Sequence, residues 1–198
     1  MTELVLASGS KARKALLDGT GLSFRQVSPE LDEMAASEPL LRAGAGAGDI
    51  ASTLALAKAT MASEAIPRAL VIAADQTLEL DGRLFRKAEN MDAARQQLLE
   101  LSGKTHYLHS AVACMRAGKT LFETRDSAAI TLRPIRADEV GRYLAASGPQ
   151  ILSSVGLYQL EGPGIRLIEN VEGDYFTILG LPLLPLLGFL RKNGFGTF

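Results

Sequence analysis

The chain has 198 residues, 47% of them hydrophobic, which suits one domain with a sizeable core. Lys and Arg number 21 against 22 Asp and Glu, so the global basic field with which nucleic-acid binders collect phosphates is excluded and any anion site is local. The single Cys114 stands in the apolar run AVACM, which excludes a disulfide framework and fits an inert buried thiol in a reducing compartment.

In chain order, short β-like runs alternate with helical ones, the pattern of an α/β protein. Residues 3–7 read as a strand and 10–19 as a helix capped by Ser10, with Ala12, Ala15, Leu16 and Gly19 facing inward. Three cations, Lys11, Arg13 and Lys14, crowd that helix start, where the macrodipole favours acids; an anionic ligand explains them. A strand at 24–27 and an acidic turn, SPELDE, precede LLRAGAGAGD, which reads as a loop. Asp49 then caps a helix of about 50–65 that Pro67 closes.

The run ALVIAAD (69–75) predicts a central strand buried on both faces, with Asp75 closing it. TLELDGRLF carries the hairpin signal Asp81-Gly82, Asn90 caps a helix of 91–101, and 105–116 with 119–132 form a long hairpin around Ala117-Gly118. A short helix from Asp138 to Gly148 leads to two strand candidates, YQLEG and IRLIENV. The helix at 182–192 starts on Pro182. The most apolar segment, 178–190, is too short and too broken by Pro to span a bilayer; with no leader-like N-terminus, a cytoplasmic protein without membrane partners is expected.

Several motifs do not hold up. GAGAGD lacks the spacing of a dinucleotide loop, and Gly103-Lys104-Thr105 has Leu98 where a phosphate loop needs glycine. His106 and His109, three apart on a strand, face opposite sides and cannot share a metal, so structural or surface roles are expected. What remains is the basic turn at 8–14, the pair Asp32-Glu33, Lys58 on a helix, Asp75 and Lys87. Together they offer cations for phosphate charge and carboxylates for a hard divalent metal or a catalytic water. The sequence leaves open which of Glu33 and Asp75 would bind metal and which would act as base.

The series LASGSKAR, LDE, LALAKA, IAADQT, LSGKTH, YQLEGPG and EGDYFTILGLPLLPL, in this order along essentially the whole chain, resembles the Maf family of nucleoside triphosphate pyrophosphatases. The resemblance implies an elongated α/β fold, a mixed sheet with flanking helices related to the inosine-triphosphate pyrophosphatases: one domain, with room for two lobes around a central nucleotide cleft. It implies hydrolysis of a nucleoside triphosphate to monophosphate and pyrophosphate with Mg or Mn. It also implies a homodimer, common in similar proteins, and an alternative role in cell division, to which the family was historically tied. Carried over by position, Ser8 and Arg13 belong to the N-terminal turn, Glu33 to the acidic pair and Lys58 to the L-A-x-x-K-A helix. Asp75 matches the proton acceptor and Lys87 the lysine of the usual K-P pair. Departures are Ala12 for the first arginine of S-P-R-R, Ala88 for the proline, and Ser153-Ser154-Val155-Gly156 for D-K-A-G, where Ser154 would replace a phosphate-binding lysine.

Three family positions associated with base choice fall on Ala12, Gln76 and Glu161. The dTTP/UTP-preferring branch typically has Arg, Thr and Gln there, and the 7-methyl-GTP branch a bulky residue, Gln and Glu. This chain matches the second branch at two of the three. A carboxylate can accept both N1–H and N2–H of guanine, which gives that match a physical reason.

Overall fold

The computed structural model describes residues 2–196. Strand β1 (Leu4–Ala7) is buried throughout and turns at Ser8-Gly9-Ser10 into helix α1 (Lys11–Asp18), where the Arg13 backbone N–H donates to Ser10 Oγ at 3.3 Å. The cap is as expected, but the inward face is not: Leu17 is fully buried while Ala15 and Gly19 are exposed. Leucine wins that place because its side chain removes far more apolar surface from water than an alanine.

Strand β2 (Arg25–Val27) pairs parallel to β1 and leads into α2 (Glu33–Arg42), capped by Asp32, whose Oδ1 accepts from Ala35 N–H at 2.9 Å. Leu40, Leu41 and Arg42, expected in a loop, are therefore helical in spite of Pro39, and the helix yields only before Gly44, at φ +75°. Helix α3 (Ala47–Ala65) starts three residues earlier than expected on Gly46, and Asp49 lies in its first turn paired with Arg125. Strand β3 (Leu70–Leu80) turns through Asp81-Gly82 into β4 (Arg83–Phe85). Next come α4 (Met91–Leu101), capped by Asn90, and the hairpin of β5 (Thr105–Arg116) and β6 (Lys119–Leu132). Helix α5 (Ala137–Ser147), strand β7 (Ile168–Glu172), the short α6 (Tyr175–Ile178), which the sequence did not announce, and α7 (Leu183–Lys192) complete the chain.

YQLEG is not a strand. It lies between two 3-10 turns, Leu157 takes the left-handed φ of +57°, and a Cβ at Gly164 would stand 2.5 Å from the Gln159 nitrogen. Alternation in four letters cannot distinguish a strand from a folded loop that buries the same Tyr158.

Among the described residues the sheet is mixed and seven-stranded, in the order β2-β1-β3-β5-β6-β7 with β4 also on β3. One face of β3 (Val71, Ala73) meets Ala51, Ala55, Ala59 and Ala62 of α3, small residues that let the helix lie close. On the other face Leu70 and Ile72 pack with Leu17 and with Leu183, Leu186 and Leu190 of α7, whereas Leu78 and Leu80 pack with α4 and α5. No helix among the described residues is long and apolar enough to cross a membrane.

β5 runs along one edge of β3 from Val71 to Glu79. On the opposite edge the pairing with β1 stops at Ala73 and that with β4 begins at Leu78, so among the described residues no strand lies beside Ala74 to Thr77 there. Asp75 is thus the middle of an eleven-residue strand and does not close one. The strand whose carboxyl end lies beside Asp75 is β1.

Candidate active site

The notch between β1 and β4 is filled first by Arg13. Its Nε donates to the Gly180 carbonyl at 2.7 Å, and its Nη1 to the Ala74 carbonyl at 2.9 Å and to Ser8 Oγ at 3.3 Å. Ser8 is almost wholly buried, its Oγ also accepts from Ser10 N–H, and its carbonyl accepts from Gln26 Nε2 at 2.7 Å. Desolvation works against the charge of the guanidinium, while Asp75 and Glu33 favour it. Gly180, at φ +94°, places its carbonyl under Arg13, and a Cβ there would stand 3.2 Å from Nε.

Beside Arg13 lies an ion triad. Lys58, carried over the sheet by α3, is 8% exposed; its Nζ donates to Glu33 Oε1 at 2.6 Å and, in a still closer contact, to Asp75 Oδ1. Glu33 is the first residue of α2, where the dipole also favours a carboxylate. The two acids differ electrostatically. Burial pushes the Asp75 carboxyl above its ordinary range against the pull of Lys58 and Arg13. Burial acts on Glu33 too, but Lys58, Lys87 and Arg13 outweigh it and hold that carboxyl below its usual value. Such a pair suits division of labour between a proton acceptor and a carboxylate that stays charged.

Both carboxylates converge on one point, and a cation, the Lys58 ammonium, stands there. Two hard oxygen donors on one cation fit Mg or Mn, which bind through one or two carboxylates and leave other positions to water and phosphate. Among the described residues no group of three or more His, Cys, Asp and Glu could hold a metal.

The remaining sequence-derived residues are placed as follows. Lys87 is exposed after β4, and its charge reaches Glu33. Ala12 is half-buried on α1, one residue before Arg13. Gln76 follows Asp75 but points to the other face, where its Nε2 donates to Ser110 Oγ (2.9 Å), Thr177 O (3.1 Å) and Ile178 O (3.0 Å). Ser154 does not join the cluster: its hydroxyl donates to the Tyr158 carbonyl at 3.1 Å, closing its own turn. Glu161 is exposed in the loop after Tyr158, close enough to Tyr143 to act on it electrostatically. Lys14 is paired with Asp18 at 2.6 Å, and Lys11 is exposed. Residues missed in the sequence are Gly180 and Gln26; Gly180 before Leu-Pro was the only available signal.

The histidines are structural, as expected. His106 Nε2 meets Tyr158 Oη at 2.6 Å in full burial, and its Nδ1 is without a partner among the described residues. His109 lies between Ser127 and Glu79.

An open mixed α/β sheet with a buried acid–lysine–acid triad and a docked arginine at the end of its first strand presents the kind of preorganised charges that can neutralise phosphate. The profile of the family described as Maf-like protein matches residues 3–193. The chain belongs to the Maf family. It is 52% identical to the 7-methyl-GTP pyrophosphatase of Brucella abortus over 96% of both chains. It is 50% identical to the 7-methyl-GTP pyrophosphatase of Mesorhizobium japonicum over 98% of both, and 48% identical to the nucleoside triphosphate pyrophosphatase of Caulobacter vibrioides over 98% of this chain and 97% of that one. Among solved structures, a HAM1 protein from Coxiella burnetii aligns at a TM-score of 0.48 and 17% identity, covering 79% of this chain and 92% of that one.

Proposed function

We propose that this chain hydrolyses the α–β phosphoanhydride of a nucleoside triphosphate, releasing monophosphate and pyrophosphate, with 7-methyl-GTP as its preferred substrate. The observation that carries the reading is the Glu33–Lys58–Asp75 triad beside docked Arg13: two anions and two cations preorganised in one notch. Asp75, whose carboxyl is raised by burial, takes the proton of the attacking water. Arg13, with Nη2 still free of acceptors among the described residues, and exposed Lys87 neutralise the phosphate chain and the charge that moves onto departing pyrophosphate. The residues fit a divalent cation held by Glu33 and Asp75, which when bound would polarise a phosphoryl oxygen.

The base preference rests on Glu161 and on the names of relatives at about half identity; Gln76 matches by residue type alone, since its amide is engaged by Ser110, Thr177 and Ile178. Glu161 is exposed and without a hydrogen-bond partner among the described residues, and its carboxylate can accept two N–H groups from guanine. A buried unreactive thiol at Cys114 supports a cytoplasmic location. The test is a panel of nucleoside triphosphates with pyrophosphate detection. 7-Methyl-GTP is expected to give the largest kcat/KM, and Asp75→Asn to lower kcat about 10³-fold, as loss of a catalytic base does. Faster turnover of dTTP or UTP would overturn the base assignment. Absence of pyrophosphate from every nucleotide would leave a binding or regulatory protein.

A further inference from the structure

The triad raises a difficulty for any metal. A hard divalent cation requires the oxygen atoms of Glu33 and Asp75, and Lys58 Nζ already holds one oxygen of each. Lys58 is nearly buried, and so is Asp75, at 5% exposure, so an arriving dication would face a desolvated ammonium at contact range. Two carboxylates also leave most positions of an octahedral cation to water or phosphate, since among the described residues no third acidic, His or Cys ligand joins them. The opposing charge balance is already close to even, since Lys58 and Arg13 answer Glu33 and Asp75.

We propose that Lys58 is a placeholder in the metal position, so that the free protein excludes divalent cations and takes one only as its complex with a nucleotide triphosphate. The triphosphate resolves both difficulties. Its oxygens supply the missing ligands, and its negative charge gives the displaced ammonium a new partner. Lys58 would then turn from the two carboxylates to the phosphate chain, leaving the oxygens of Glu33 and Asp75 to hold the cation. The flexible four-carbon stem and three rotatable donors of lysine suit such a move; the planar fork of arginine does not. The inference rests on the pyrophosphatase reading for the identity of the anion, and on the triad alone for the exclusion of metal.

Mn(II) binding to the full-length protein, followed by electron paramagnetic resonance, tests it. The probes are Mn(II) alone and Mn(II) with the α,β-methylene analogue of GTP, which resists cleavage. Wild type should bind Mn(II) at least about tenfold more tightly with the analogue than without it. Lys58→Met should gain at least about tenfold in affinity for Mn(II) alone, whereas Lys58→Arg should not. A thermal shift gives a second readout and guards against misfolding: Mn(II) alone should raise the Tm of Lys58→Met and leave wild type unmoved. Equal Mn(II) affinity of wild type with and without the analogue, or no gain in folded Lys58→Met, overturns the proposal. Pyrophosphate release measured in parallel separates this failure from that of the catalytic reading, because the Mn(II) comparison between wild type and Lys58→Met involves no turnover.

Discussion

His106 is a buried base that the proposed chemistry leaves unused, and its consequence is for stability. Burial pushes the imidazole from 6.5 down to about 4, so the native state keeps it neutral while the unfolded chain takes up a proton below pH 6.5. The contribution is therefore complete above pH 6.5 and is lost as pH falls from there towards 4, on the order of 3 kcal/mol in all. Denaturant melts of wild type should show this slope, and His106→Gln should flatten it. Residue types at the site were legible in the sequence: Arg13, Glu33, Lys58 and Asp75 do converge. What could not be read is how they neutralise one another, because Glu33 and Lys58 are 25 residues apart and only the fold makes them neighbours. Ser154 misled for the opposite reason: a hydroxyl near a motif position was assigned to phosphate when its own turn needed it.

Elements with a cap and a period were legible, as at Asn90 before α4 and at both two-residue hairpins. Elements determined by tertiary contacts were not, since α6 and the 157–164 loop depend on what lies beneath them. Two glycines separate these regimes. A methyl group at Gly164 would collide with the Gln159 backbone nitrogen and oxygen at 2.5 and 2.7 Å, neither of which can rotate away. Gly164→Ala should cost about 2 kcal/mol as overpacking. Gly188, in the middle of α7, has nothing within 4 Å of a Cβ, so Gly188→Ala should stabilise by about 0.5–1 kcal/mol. Thermal melts of the two variants should move in opposite directions.

On the scale of the whole molecule, Cys114 lies on β5 between β3 and β6, fully buried, with its thiol pushed up to about 12. A thiol reagent can reach it only when the centre of the sheet opens, so its labelling rate should follow global unfolding and rise steeply with denaturant. Labelling that is fast and insensitive to denaturant would show a local opening of β5. The sheet order itself was only partly legible: alternation announced the strands, but not that β1 and β4 would share an edge of β3.

That shared edge has a further consequence for how the protein can change. The gap from Ala73 to Leu78 leaves four residues of one strand unpaired on that edge and spans five residue steps, about 17 Å of chain, and β5 is zipped to the same residues along the opposite edge. An insertion or deletion there would throw β3 out of step with β5 and turn alternate side chains inside out. The opening therefore has a span fixed by the backbone, which loop growth cannot widen. Diversification of substrates, natural or engineered, has to proceed by exchanging side chains around an aperture of constant size.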